Sequence, residues 1–92
     1  MIKSWANNVT RRFAEDGKSK FSGMDEGTAI ELLAMLNAAT SPADLSPLKS
    51  VGLHKLSGNR EGQWAMTINK AWRLCFKFED GHAWDVEIVD YH

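Results

Sequence analysis

The 92-residue chain, with a net charge of −1, a pI near 6.3 and a single cysteine, is read as one small domain over residues 1–92. At this size about 60–65% of the unfolded surface is buried on folding, so the core is modest and must be built from apolar side chains. Four Trp, four Phe and four Met within a 43% hydrophobic composition suffice without disulfides. A lone Cys75 excludes an intrachain bridge and suits a reducing compartment. Met1-Ile2-Lys3-Ser4-Trp5 lacks the apolar stretch of a secretory leader, and the longest apolar run, Leu32 to Leu36, is too short to cross a bilayer. A cytoplasmic protein with no membrane partner is expected.

The elements follow in chain order. Asn7-Asn8 can cap a helix over 7–16, with Val9 and Phe13 four apart on one face and Gly17 as its stop. Residues 17–23 are a polar connection. A second helix starts near Met24 to Thr28, where Thr28 and Glu31 match a capping box, and continues through Ala29, Leu32, Leu33, Leu36 and Ala39 until Ser41-Pro42. The stretch to Pro47 is a connection with room for one helical turn at Pro42 to Leu45. From Leu53 the period changes to two. Trp64, Met66 and Ile68 form one apolar series; Trp72, Leu74, Phe76 and Phe78 a second; Trp84, Val86 and Ile88 a third. Turns at Asn69-Lys70 and Asp80-Gly81 join these runs into an antiparallel meander. Two helices covering its apolar face make an α+β two-layer domain, with Arg73, Lys77, Asp85 and Glu87 on the open face.

The charge is unevenly spread. Residues 49–77 carry six basic side chains (Lys49, Lys55, Arg60, Lys70, Arg73 and Lys77) against Glu61 alone, whereas 78–92 carry five acids and no Lys or Arg. A local cationic surface for phosphates is compatible with the near-neutral total, as is an ordinary solvated sheet face. Lys55, Arg60 and Lys77 are the cations of this stretch expected to meet phosphates.

Asp90-Tyr91-His92 closes the last strand with a carboxylate, a phenol and an imidazole, and His54 opens the strand-rich half. With Arg73 these groups can carry metal-free cleavage of a phosphodiester, which needs a base, an acid and a cation. Strand parity puts Asp90 and His92 with Ile88, and Tyr91 with Glu87 and Val89, so convergence requires a twist or bulge. A solvated polar tail is the bland alternative. His82, beside a turn, reads as a solvated loop residue, and Cys75 as a buried thiol rather than a nucleophile. No ligand spacing supports a metal, no GxSxG elbow supports Ser57 as a nucleophile, and no cofactor is expected.

The order His54-x-Leu56-x-Gly58-x-Arg60-x-Gly62, then Trp64, then Asn69-x-x-Trp72-Arg73-Leu74-x-Phe76-x-Phe78, then Val89-Asp90-Tyr91-His92, resembles the HigB branch of the RelE-like toxins of type II toxin–antitoxin systems. The resemblance covers nearly the whole chain. It implies a microbial RNase-like fold that enters the ribosomal A site and cleaves mRNA there, contacting rRNA, without a metal. It also implies a helix-turn-helix antitoxin of the HigA type, with operator DNA bound only through that antitoxin. The active residues map onto His54, Arg73, Asp90, Tyr91 and His92.

Two departures stand out. Ser57 occupies a position where many members carry lysine, and the chain is near neutral where most are basic. Fewer phosphate contacts imply a milder toxin or one relying on few well-placed cations. They also keep open a reading from another class, a non-cleaving module of the same fold that binds the ribosome or a regulator.

Overall fold

In the computed structural model, residues 1–45 and 52–91 are described. Helix α1 (Asn8–Asp16) begins where the Asn7 side chain accepts the Thr10 N–H at 2.9 Å. It ends at Gly17, whose left-handed φ of 71° turns its N–H back onto the Phe13 carbonyl. The expected caps are therefore in place, but the buried face is Thr10 and Phe13 rather than Val9 and Phe13. Val9 is exposed. Helix α2 (Glu26–Ala38) starts one turn earlier than the Thr28–Glu31 pair suggests, because Asp25 is the cap and accepts the Thr28 N–H at 3.1 Å. Its Ala29, Leu32, Leu33 and Leu36 are buried. A single 3-10 turn, Pro42–Asp44, follows, closed by the Asp44 carboxylate on the N–H groups of Thr40 and Ser41.

Four strands, β1 (His54–Lys55), β2 (Trp64–Asn69), β3 (Trp72–Glu79) and β4 (His82–Asp90), pair antiparallel in sequence order. The first hairpin turns at Lys70-Ala71, one residue later than expected, with Lys70 at φ 48°. The second turns at Asp80-Gly81 with both residues left-handed (φ 54° and 78°), the geometry that matches strand twist. The α+β expectation holds: α1 and α2 cover one face, where Met66, Leu74, Phe76, Ala83, Val86 and Ile88 join Phe13, Leu32, Leu33 and Leu36 in one core.

The third apolar series needs correction. Lys77 pairs with Trp84, but Cys75 pairs with Glu87, so β4 spends three residues where β3 spends two. The extra residue is Asp85, at φ 52°, a β-bulge. Before the bulge, Ala83 faces the core opposite Phe78; after it, Val86 and Ile88 do. Trp84 therefore stands on the face of Lys77, with its indole N–H donated to the Glu79 carbonyl at 3.2 Å. His82 likewise opens β4 half-buried rather than lying in a solvated loop, and its Nδ1 has no hydrogen-bond partner among the described residues.

β4 does not present a bare edge. Residues 1–6 run beside it, with Lys3 and Ala6 N–H groups bonded to the Ala83 and Val86 carbonyls at 2.7 and 3.0 Å. The next outward N–H, that of Ile88, is donated to the buried Thr10 Oγ1 at 3.1 Å. Removing that acceptor orphans a buried donor. Thr10→Val is expected to lower unfolding free energy by about 1–3 kcal/mol with an unchanged urea m-value, measured by equilibrium urea denaturation.

Candidate active site

On the face away from the helices, the register aligns His54, Ala65, Cys75 and Glu87 in one row across all four strands. Directly paired residues share a face, so the row spans roughly 14 Å at the usual strand spacing. Its two central members are small and fully buried, leaving a low floor between His54 and Glu87. The His54 Nδ1 lies 2.8 Å from the Gly52 carbonyl, which can only accept, so Nδ1 carries a hydrogen and the ring orientation is held by that bond, leaving Nε2 outside it. A second row beside the first holds Thr67, Arg73 and Val89. The Arg73 guanidinium donates to the Lys70 and Trp72 carbonyls at 2.6 and 3.0 Å.

Tyr91 joins this face from the end of β4. Its N–H bonds to the Ala71 carbonyl, while its hydroxyl sits 3.6 Å from Cys75 Sγ, so the phenol lies back along the sheet toward the first row. Burial raises the Tyr91 pKa, and the Cys75 contact adds to the rise against the opposing fields of Arg60 and Arg73. The phenol therefore keeps its proton at neutral pH. Burial also raises the Cys75 pKa, against the Tyr91 hydrogen bond and the nearby guanidinium groups, which makes the thiol a neutral support and not a nucleophile.

The cations are distributed unlike a uniform basic patch. Arg60, from the 3-10 turn Gly58–Arg60, donates from Nη1 to Gln63 Oε1 at 3.0 Å and to Glu87 Oε1 at 3.1 Å. Burial opposes its charge, but the Glu87 hydrogen bond and charge outweigh that and raise its pKa. Lys77 lies 3.6 Å from Asp85, an exposed and weak pair. Lys55 pairs with Trp64 and places its ammonium 5.1 Å from that ring's centroid, on the opposite face from His54.

Of the expected catalytic residues, His54, Arg73 and Tyr91 share the open face. Asp90 pairs with Trp72, which packs on the core and meets Phe21 edge-to-face at 5.4 Å, so its parity is the helix side, as alternation anticipates. His92 lies outside the described residues. Among the described residues no three His, Cys, Asp or Glu side chains gather at metal-binding distance, and no helix is long and apolar enough to cross a membrane. A separate hollow of about 390 Å³, lined by Trp5, Ala14, Ile30 and Leu33, lies between the helices, away from this face. The Cys75–Tyr91 and Arg60–Glu87 contacts carry no local sequence signal, since their partners are 16 and 27 residues apart.

The raised Cys75 pKa has a stability consequence. The folded thiol holds its proton above the ordinary value of 9.0, whereas the unfolded one releases it. Unfolding free energy is expected to fall as pH rises past 9, with Tyr91 adding above 10. Denaturation across that range is expected to give a shallower slope for Cys75→Ala than for the parent.

Comparison with known proteins identifies the family. The family model described as the RelE-like toxin of type II toxin-antitoxin system HigB matches residues 3–92. A protein from Proteus vulgaris named Endoribonuclease HigB is 32% identical over 93 residues, covering the full length of both chains. The chain belongs to the HigB family of RelE-like toxins of type II toxin–antitoxin systems.

Proposed function

We propose that the open face is a ribonuclease site that cleaves mRNA in the ribosomal A site without a metal ion, halting translation and growth. The observation that carries this reading is the assembly on one face of the His54 imidazole, a phenol that keeps its proton at Tyr91, and the guanidinium groups of Arg60 and Arg73. The Endoribonuclease HigB name of the Proteus vulgaris relative supports it.

The chemistry is in-line transfer. A base takes the RNA 2′-hydroxyl proton, O2′ bonds to phosphorus, and the P–O5′ bond breaks as an acid protonates the leaving oxygen. The products are a 2′,3′-cyclic phosphate and a 5′-hydroxyl. His54 is assigned proton removal and Tyr91 proton donation or base stacking. Arg73 stabilises charge on the pentacovalent phosphorus. His92 is assigned to the acid–base set and Arg60 and Lys77 to RNA phosphates, whereas Asp90 and Lys55, which strand parity puts on the helix side, are left out of the open-face site. The partner is an antitoxin of the helix-turn-helix HigA type, through which operator DNA is reached.

A second reading, a non-cleaving binder of the ribosome or a regulator, is favoured by two observations. Arg60 and Lys77 face carboxylates of their own chain, and Asp90 has the parity of the helix side. Primer extension on mRNA engaged with purified ribosomes separates the two. New 3′ ends in the A-site codon are expected with the parent, reduced about 10²–10⁴-fold by His54→Ala and about 10²–10³-fold by Arg73→Ala. Intact mRNA on stalled ribosomes favours the binder.

A further inference from the structure

The open face contains an ion pair whose reach is unusual for its strength. Arg60 leaves the turn between β1 and β2, yet its guanidinium meets Glu87 on β4, in the strand row that runs through Ala65 and Cys75. Both of these are fully buried. The pair is itself half-buried, with side-chain exposures of 29% and 26%. Its attraction is screened less than that of the rim pairs.

The donor usage matters more than the attraction. Nη1 has two hydrogens, and Gln63 and Glu87 accept one each. Among the described residues, Nε and Nη2 have no partner. Those two nitrogens form one edge of the guanidinium fork, the edge that takes two phosphate oxygens side by side. A carboxylate that bound the fork bidentately would have consumed that edge. Glu87 instead anchors one nitrogen and leaves the phosphate-binding edge available. Arg60 is also close enough for its field to be felt at both the Tyr91 phenol and the Cys75 thiol.

We infer that Glu87 is a positioning residue: with Gln63 it fixes Arg60 across the open face so that the Nε–Nη2 edge takes two oxygens of the RNA phosphodiester beside Tyr91. This rests on the ribonuclease reading and deepens it, assigning Arg60 to the scissile phosphate rather than to a distant one. Glu87 acts through Arg60. Its charge also lies near the substrate's phosphate, so binding is weakened while the transition state is better held. A carboxylate kept only for stability would show neither effect.

Single-turnover cleavage of ribosome-bound mRNA is compared for the parent, Glu87→Ala, Glu87→Gln and Arg60→Lys. In parallel, the Arg60 Nε–Hε resonance is followed by NMR during titration with inorganic phosphate. Glu87→Ala is expected to cleave about 10–100-fold more slowly at saturation, from the misplaced fork, with half-saturation unchanged or lower. Glu87→Gln keeps an acceptor for Nη1 and is expected to recover most of that rate. Arg60→Lys lacks the fork and is expected to fall with Glu87→Ala. Phosphate is expected to shift the Arg60 resonance in the parent and Glu87→Gln but not in Glu87→Ala. Parental cleavage by Glu87→Ala, an equal loss in Glu87→Gln, or a phosphate response that does not depend on Glu87 overturns the inference. If the parent itself leaves mRNA intact while the resonance still responds through Glu87, the ribonuclease reading fails and the anion site stands.

Discussion

The bulge at Asp85 is the constraint on which both faces of the sheet depend. A strand has period two, so one extra residue exchanges the faces of everything beyond it. Without it, Val86 would oppose Cys75 on the open face and Glu87 would turn toward Phe13 and Leu36. With it, Val86 and Ile88 enter the core, while Glu87, Val89 and Tyr91 emerge beside Cys75 and Arg73. The bulge is held locally: Asp85 donates its N–H to Ser4 Oγ at 2.8 Å, and that hydroxyl donates back to Asp85 Oδ1 at 3.2 Å. The segment before α1 thus closes the sheet edge and secures the register of the strand that carries the site.

The electrostatics of the open face reconcile a net charge of −1 with the proposed phosphate-binding role. Two cations of this face lie against carboxylates from β4, Arg60 with Glu87 and Lys77 with Asp85. Such pairing reduces non-specific attraction to nucleic acid, which scales with the number of phosphates neutralised. It also fixes where the positive charge points. The row through Ala65 and Cys75 is small and fully buried, and the Tyr91 hydroxyl sits 3.6 Å from Cys75 Sγ. In the proposed role the face relies on a few oriented groups and not on bulk charge.

Much of this was legible in the sequence because it follows from local rules. Asn7 and Gly17 announce the ends of α1, Asp80-Gly81 announces a hairpin, and alternation places Tyr91 with Glu87 and Asp90 with Ile88. The failures are non-local. Trp84 reads as core because alternation extended backward from Ile88 puts it there; only pairing with β3 reveals the extra residue. Thr10 is chosen over Val9 for burial because a strand N–H 78 residues away needs an acceptor, and no helical periodicity encodes that. Thr28 and Glu31 satisfy a capping pattern, but Asp25 satisfies the same need three residues earlier. At the site, His54, Arg73 and Tyr91 stand out by residue type and by resemblance. The contact of Arg60 with Glu87 exists only after the sheet has formed.

The central claim is that the open face, and not the helical face, meets the message. Photo-crosslinking tests it directly. A benzoylphenylalanine placed at Thr67, which pairs with Arg73 at the middle of the open face, is compared with one at Ile30, exposed on α2, on ribosomes programmed with a defined mRNA. Crosslinks from position 67 to the A-site codon, with none to mRNA from position 30, are the expected result. Crosslinks to that codon from position 30 but not from 67 would contradict the assignment of the active face.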